Sequence, residues 1–330
     1  MGNTNSKRNT VISICLFIVI FAGLLITATF TDMQISEKLV RLQPGQYFTT
    51  NTFGAVFASI GSTPTYIFLS IACAIIFANT KRSKNTFLRI PGSILANLIS
   101  VGAMVYVVQD VVHYLKKHYG DDIVFDKIFI KIAFMIAAAA IAELICLHFS
   151  KLDDKTAAAL LKWSFIIIFS AALSNIIINL IVKDVMCRPR YRSMWILDNF
   201  NLFKNWYQKS DMPSYDDPVY AALANFFAKD GAKAVSHFKD GFKSFPSGHT
   251  NAAAAMYLLL CLPKLLKKYD NVKWKIILLA VSVGFTGLVA VSRIVCGAHF
   301  FSDVLVGGTT MFLCVMLGAK IFIKSDFEKA

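Results

Sequence analysis

Apolar residues in this chain run in unbroken blocks and do not alternate with polar ones. Blocks long enough to cross about 30 Å of hydrocarbon as helices lie at about 10–30, 53–78, 90–114, 128–148, 160–182, 249–263, 274–292 and 302–323. Lipid offers a backbone no hydrogen-bond partners, so a chain that crosses it closes its polar groups within helices. The pattern predicts an all-α polytopic membrane helix bundle of about eight spans, the sixth of them short.

Lysines and arginines collect at alternate ends of these blocks. One set comprises Lys7 and Arg8; Lys81, Arg82, Lys84 and Arg89; and Lys151 and Lys155. It continues with Lys264, Lys267, Lys268, Lys273 and Lys275, then Lys320, Lys324 and Lys329. The 115–127 loop instead mixes Lys116, Lys117 and Lys127 with Asp121, Asp122 and Asp126. The positive-inside rule then puts both termini in the cytoplasm and the 183–248 segment outside, with Trp163 and Trp274 at the inner interface. Lys7 and Arg8 precede an apolar run that reaches Phe30 without a small-x-small cleavage site, which reads as an uncleaved anchor. Met1-Gly2 with Ser6 also fits the short myristoylation pattern.

Composition sharpens the picture. Of 330 residues, 56% are hydrophobic and 16% charged, a balance suited to lipid as solvent and not to a water-covered surface. The net charge of +14 sits at block ends and follows no nucleic-acid module, so nucleic acid is excluded as a partner and membrane lipid expected. The seven cysteines lie scattered through the blocks, mostly as small buried hydrophobes. Cys187 and Cys296 differ in lying inside polar motifs.

The one long polar stretch is 183–248. Within it, Asp217-Pro218 reads as an N-cap followed by proline at the first helical position, and Gly231 as a stop. Val219, Leu223, Phe226 and Phe227 make the intervening helix amphipathic, either a connector or a lid on the membrane surface.

Three polar clusters stand where apolar blocks meet the outer face: Lys183 with Arg188 and Arg190, Pro246 to His249, and Ser292-Arg293 with His299 and Asp303. Because spans alternate in direction, all three fall on one side. Phosphoryl transfer gains mainly from positioned positive charge, which Lys183, Arg190 and Arg293 supply. Ser247-Gly248 at a helix start offers N–H groups and close backbone approach to an anion. His299 and Asp303, four apart, share a helix face, so the carboxylate holds the imidazole while the other ring nitrogen attacks. His249 remains to protonate the leaving oxygen.

These clusters resemble the signature of the type 2 phosphatidic acid phosphatase superfamily. Its pattern is a Lys and an Arg separated by six residues, then P-S-G-H, then S-R, five residues, H, three residues, D. Pro246 to His249 match the second motif, and Ser292, Arg293, His299 and Asp303 the third. In the first, Lys183 and Arg190 keep the spacing, but Tyr191 stands where proline is usual; Arg188-Pro189 restores the proline and loses the spacing. Arg190 is therefore favoured, with Arg188 as an additional phosphate contact. The resemblance implies hydrolysis through a phosphohistidine without metal or other cofactor. It makes His299 the nucleophile, Asp303 its partner and His249 the acid, with phosphate held by Lys183, Arg190, Ser247, Gly248 and Arg293. It also implies a six-helix core, so residues 1–88 read as added N-terminal membrane helices and 89–330 as the phosphatase core.

The expected substrate is a phosphorylated lipid or diphosphate met on the non-cytoplasmic face of a cell membrane. A soluble sugar phosphate, or transfer to a lipid alcohol, uses the same first step. His249, His299 and Asp303 also suit a two-histidine, one-carboxylate metal site, which the surrounding cations oppose. Ser247 as a nucleophile lacks the G-x-S-x-G elbow. An anion or phospholipid transporter would fit eight spans but lacks broken helices or an inverted repeat. His113, His118, His148 and His237 read as structural, and Asp110 and Glu143, within spans, as hydrogen-bonded bundle residues.

Overall fold

The computed structural model describes the backbone of residues 2–214, 216–227 and 234–323. Met1, Gly231, Lys324 and Lys329 lie outside the described residues, as do the side chains of Ser6, Lys7 and His237. Among the described residues every regular element is helical. The long helices are α1 (Gly2–Leu39), α3 (Thr63–Lys81), α4 (Thr86–Tyr119), α5 (Ile128–Ser150) and α6 (Asp154–Asn175), with α2 (Thr52–Ile60) leading into α3. A π segment, Ile176–Val182, carries α6 into α7 (Lys183–Met186), and α8 (Tyr191–Leu197), α9 (Pro218–Phe227) and α10 (Ala234–Gly241) follow. The chain closes through α11 (Gly248–Ala253), α12 (Leu262–Leu265), α13 (Val272–Val295) and α14 (Phe301–Ile323).

Side-chain caps set several starts, satisfying amides that a first turn leaves unpaired. Asn51 accepts from Gly54 N at 3.0 Å, Asp153 from Thr156 N at 2.9 Å and Asn271 from Trp274 N at 3.0 Å. Asp217 likewise accepts from Val219 N at 2.8 Å, so α9 begins where its Asp-Pro pair predicts. Among the described residues, seven helices are long and apolar enough to cross a membrane, which marks an integral membrane protein. The sixth expected span, 249–263, is not one long helix. It is a column of α11, a 3-10 run over Ala254–Cys261, and α12. Ten α residues rising 1.5 Å and eight 3-10 residues rising 2.0 Å reach about 31 Å. The tighter winding lets a short segment reach the depth of its longer neighbours.

That column is the core of the bundle. Ala254, Ala255, Leu258 and Cys261 are buried among Trp163, Ile166 and Ile167 of α6 and Met311 and Val315 of α14. Trp163 is therefore not at an interface: it is 5% exposed and donates its indole N–H to Leu258 O at 3.0 Å. A buried indole needs such an acceptor, and the column supplies it. Glu143 accepts from Asn97 Nδ2 at 3.0 Å, the bundle hydrogen bond expected of it.

Helices α2 and α3 pack directly against α4, α6 and α13, and α1 lies along α14. The N-terminal helices thus share one core with the motif-bearing half. Outside the bundle, Tyr47 from the α1–α2 linker meets Leu223 and Phe227 of α9 and Phe238 and Phe242, forming a second apolar cluster. So α9 uses its apolar face to pack on this linker.

Arg188 fastens α1 to the rest. Fully buried, it donates from Nη2 to Asp32 Oδ2 at 2.9 Å, from Nη1 to Asp303 Oδ1 at 2.5 Å, and from Nε to Lys204 O at 2.8 Å. Asp32 also accepts from the backbone N and the hydroxyl of Ser302. Removing one partner of a buried ion pair strands the other, at about 3–5 kcal/mol. Asp32→Ala should therefore lower the thermal unfolding midpoint in detergent sharply, whereas Asp270→Ala, in an exposed pair with Lys275, should change it little. An unmoved midpoint for Asp32→Ala would show that α1 is held by its apolar face alone.

Candidate active site

The three polar clusters meet in one small cavity of about 90 Å³ at the loop end of the bundle. Lys183, Arg190, Arg293, His249 and His299 line it, joined by Lys117, Arg192, Tyr114, His118, Phe48 and Asp240. A volume of that size suits a few waters or one tetrahedral oxyanion.

Local structure explains how each side chain arrives. The π segment ends with Lys183 N bonded to Ile178 O, and the ammonium lands beside Gly248. A Cβ at Gly248 would sit 3.3 Å from Lys183 Nζ, so glycine permits the approach. Ser247 caps α11, accepting from Thr250 N at 3.3 Å, and its hydroxyl is shared with Thr250 Oγ1 at 2.9 Å. Its backbone rests on Gly307 of α14, where an added Cβ would lie 2.3 Å from Ser247 O. Ser247 is buried and lies outside the cavity lining, engaged in holding the turn rather than presenting a nucleophile.

His299 lies before α14, in the turn that closes on α13. Its Nδ1 donates to Ser244 O at 2.5 Å, which fixes the tautomer because a carbonyl can only accept. Nε2 thus carries the lone pair, facing the cavity with Arg190 Nη1 at 3.2 Å. Burial, then the charges of Arg190, Arg293 and Lys183, hold His299 well below the ordinary histidine value of 6.5. The shared helix face expected for His299 and Asp303 is absent. Asp303 sits in the first turn of α14 and caps it by accepting from Phe300 N at 2.8 Å. It also accepts from Ser244 Oγ at 2.5 Å and stands 3.7 Å from His299 Nδ1. It therefore orients the imidazole chiefly through Ser244.

His249 packs edge-on to Tyr114 at 4.6 Å, and its buried Nε2 has no hydrogen-bond partner among the described residues. The same holds for Arg293 Nε. Arg190 reaches Asp240 Oδ1 at 2.8 Å and Ala298 O at 2.8 Å. Arg192 pairs with Asp240 Oδ2 at 2.6 Å and stacks over Tyr47 and Phe48 at 4.3 and 4.7 Å. Burial alone would raise the Asp240 carboxyl, but Arg190 and Arg192, with Lys117 and Lys183, hold it well below the usual range. Arg188 faces away, its donors engaged as described, so the structure separates the two arginines that the first motif left open. Cys187 and Cys296 are both free thiols.

Sequence reasoning passed over Lys117, Arg192, Asp240 and Asp32. Arg192 is two residues past Arg190 on the first turn of α8, and the Lys116-Lys117 pair at the end of α4 looked like an ordinary helix end. Asp240 and Asp32 carry no motif; only the fold brings them in. His118, read as structural, does hold Thr49 O at 2.7 Å, and one edge borders the cavity.

Comparison with known proteins gives one family match, the PAP2 superfamily, over residues 163–326. Among curated proteins and solved structures nothing matches. The matched stretch contains all three clusters, in the order and spacing that the motifs require. This chain belongs to the PAP2 superfamily, the type 2 phosphatidic acid phosphatases that its motifs resemble.

Proposed function

We propose that the protein hydrolyses a phosphorylated lipid or lipid diphosphate through a phosphohistidine, at a site on the non-cytoplasmic face of the membrane. One observation carries this reading: His249, with Nε2 unpartnered among the described residues, and His299, with Nε2 held by Arg190 Nη1 at 3.2 Å, line a single ion-sized cavity that five cationic side chains surround. A phosphate dianion there meets Lys117, Lys183, Arg190, Arg192 and Arg293, which replace its water and stabilise charge on the equatorial oxygens. Arginine, with its planar fork, suits two oxygens at once.

His299 Nε2 attacks phosphorus and forms an N–P bond as the bond to the ester oxygen breaks. His249 delivers a proton to that oxygen, releasing the alcohol. Water then attacks phosphorus, His249 takes a proton from it, and the N–P bond breaks to free inorganic phosphate and neutral His299. Asp303, through Ser244, keeps Nδ1–H directed away from the attack. Fixed cations do the work a metal does elsewhere, and they would repel a divalent ion. With an alcohol in place of water, the second step becomes transfer. A vestibule of about 680 Å³ between the α1–α2 linker, the end of α4 and α9 favours a soluble sugar phosphate as the second reading.

Replacing His299 by alanine should reduce phosphate release by at least about 10⁴-fold in detergent, as nucleophile removal does elsewhere; substantial residual turnover would remove it from that role. His249→Ala should slow substrates with poor leaving groups far more than aryl phosphates, and equal losses would deny it the acid role. Because His299 is shifted below 6.5 and attacks when neutral, the acid limb of kcat/KM that it sets should lie under pH 6.5. This is read after correcting for the substrate's own ionisation near about 6. The stability contributed by a neutral His299 is likewise present above 6.5 and lost as pH falls through the lower value.

A further inference from the structure

The catalytic cavity has two neighbours. The vestibule shares Phe48, Lys117 and His118 with it; a second cleft of about 590 Å³, on the membrane side, shares Tyr114, Lys183 and His249. The histidines divide between them in a telling way. His299 borders the cavity alone, whereas His249 borders the cavity and the cleft and does not touch the vestibule. In-line displacement sets the leaving oxygen opposite the nucleophile and next to the acid. The leaving group therefore points into the cleft.

The cleft has graded walls. On α4, Asp110 stands one turn and about 6 Å below Tyr114, and Tyr106 about 12 Å below it. Asn179 in the π segment and Asn175 at the end of α6 precede Lys183 on the other wall. Deeper still the lining turns apolar, with Leu69, Ile168 and Ala171. The polar belt is rich in open acceptors. Asp110 accepts from Ser62 with one carboxylate oxygen and offers the other to the cleft. Asn251 is 5% exposed, gives its amide N–H to Ser174 at 3.2 Å, and leaves Oδ1 without a partner among the described residues. Buried acceptors call for donors, and hydroxyls are donors that a polyol headgroup carries.

Resting on the phosphatase reading above, we infer that this cleft binds the leaving group, and that Asp110 and Asn251 select one bearing a free hydroxyl between phosphate and hydrocarbon. The substrate class is then a lipid phosphorylated on a glycerol or sugar headgroup, and not a phosphate joined directly to diacylglycerol or a polyprenol. The chain's upper belt takes the polyol and its lower wall the first carbons of the tail.

The test measures kcat/KM for phosphate release by the purified full-length protein in mixed micelles, on phosphatidylglycerol phosphate and on phosphatidate of the same acyl composition. Before cleavage the first carries a free glycerol hydroxyl between its terminal phosphate and its acyl chains, and the second carries none. We expect the wild type to favour the first by about tenfold or more, as sites built to bind a hydroxyl do. Asp110→Asn and Asn251→Ala should each shrink that ratio severalfold. Equal wild-type values, or variants that lower both substrates in proportion, would overturn the cleft assignment while leaving the phosphatase reading intact. Release from neither substrate nor from any soluble or prenyl phosphate, by protein that is monodisperse, would overturn both. The wild-type ratio needs no variant, so a variant that fails to fold leaves the test standing.

Discussion

Five positive side chains gathered around a cavity of about 90 Å³ repel one another, and most of the site's architecture follows from holding them there. Lys117, Lys183, Arg190, Arg192 and Arg293 come from α4, the π-to-α7 junction, the α8 entry and α13. No single element could carry them all, because neighbouring positions on one helix would set like charges side by side. Assembly from four directions leaves each side chain a different line of support. Arg192 lies on the faces of Tyr47 and Phe48, and Arg190 spends three nitrogens on Asp240 and Ala298. Among the described residues Asp240 is the one carboxylate lining the cavity, and it pairs with Arg190 and Arg192.

Arg188 shows the complementary solution. Three positions of the R-P-R-Y-R run carry arginine, and they have two destinations. Arg190 and Arg192 enter the cavity while Arg188, before Pro189, turns to the opposite side and is neutralised by Asp32 and Asp303. Phe300 covers its guanidinium at 4.2 Å. Asp303 is thereby drawn away from His299, and Ser244 fills the gap, accepting the imidazole proton on its carbonyl and donating its hydroxyl to the carboxylate. His299 is oriented by a chain of four groups, Asp32, Arg188, Asp303 and Ser244, that begins on α1, outside the stretch that matches the family.

Much of this was legible from the sequence. Block lengths set seven of the expected spans, and motif spacing identified Lys183, Arg190, His249, Arg293 and His299, which the fold brings together. Periodicity and spacing are local signals, and they fail where a contact is made at long range. The short 249–263 block looked marginal because α-helical rise was assumed; a 3-10 run changes the rise and restores the length. Trp163 read as an interfacial anchor because tryptophans near span ends usually are, yet the carbonyl of Leu258 makes the interior a better place for its N–H. The His299–Asp303 spacing suggested a helical pair, but α14 starts at Phe301, between them. Asp32 and Asp240 could not be found at all, since a lone aspartate in a helix or loop carries no mark of the arginine it will meet.

The proposed division of the surroundings into a wet side and a lipid side rests on the same geometry. Lys117 and His118 close α4 on the loop side, so the vestibule opens where water and a free phosphate can pass. Two turns lower the same helix presents Asp110 to the cleft. A charged group at that depth is costly unless it serves a ligand or a partner, and Ser62 supplies only one hydrogen bond. On the mechanism proposed above, attack from the His299 side and departure past His249 would separate the two products as they form: inorganic phosphate toward the vestibule, the dephosphorylated lipid toward the cleft. Under that proposal, one cavity between two mouths would let the enzyme take its substrate from lipid and its second reactant from water without opening either phase to the other.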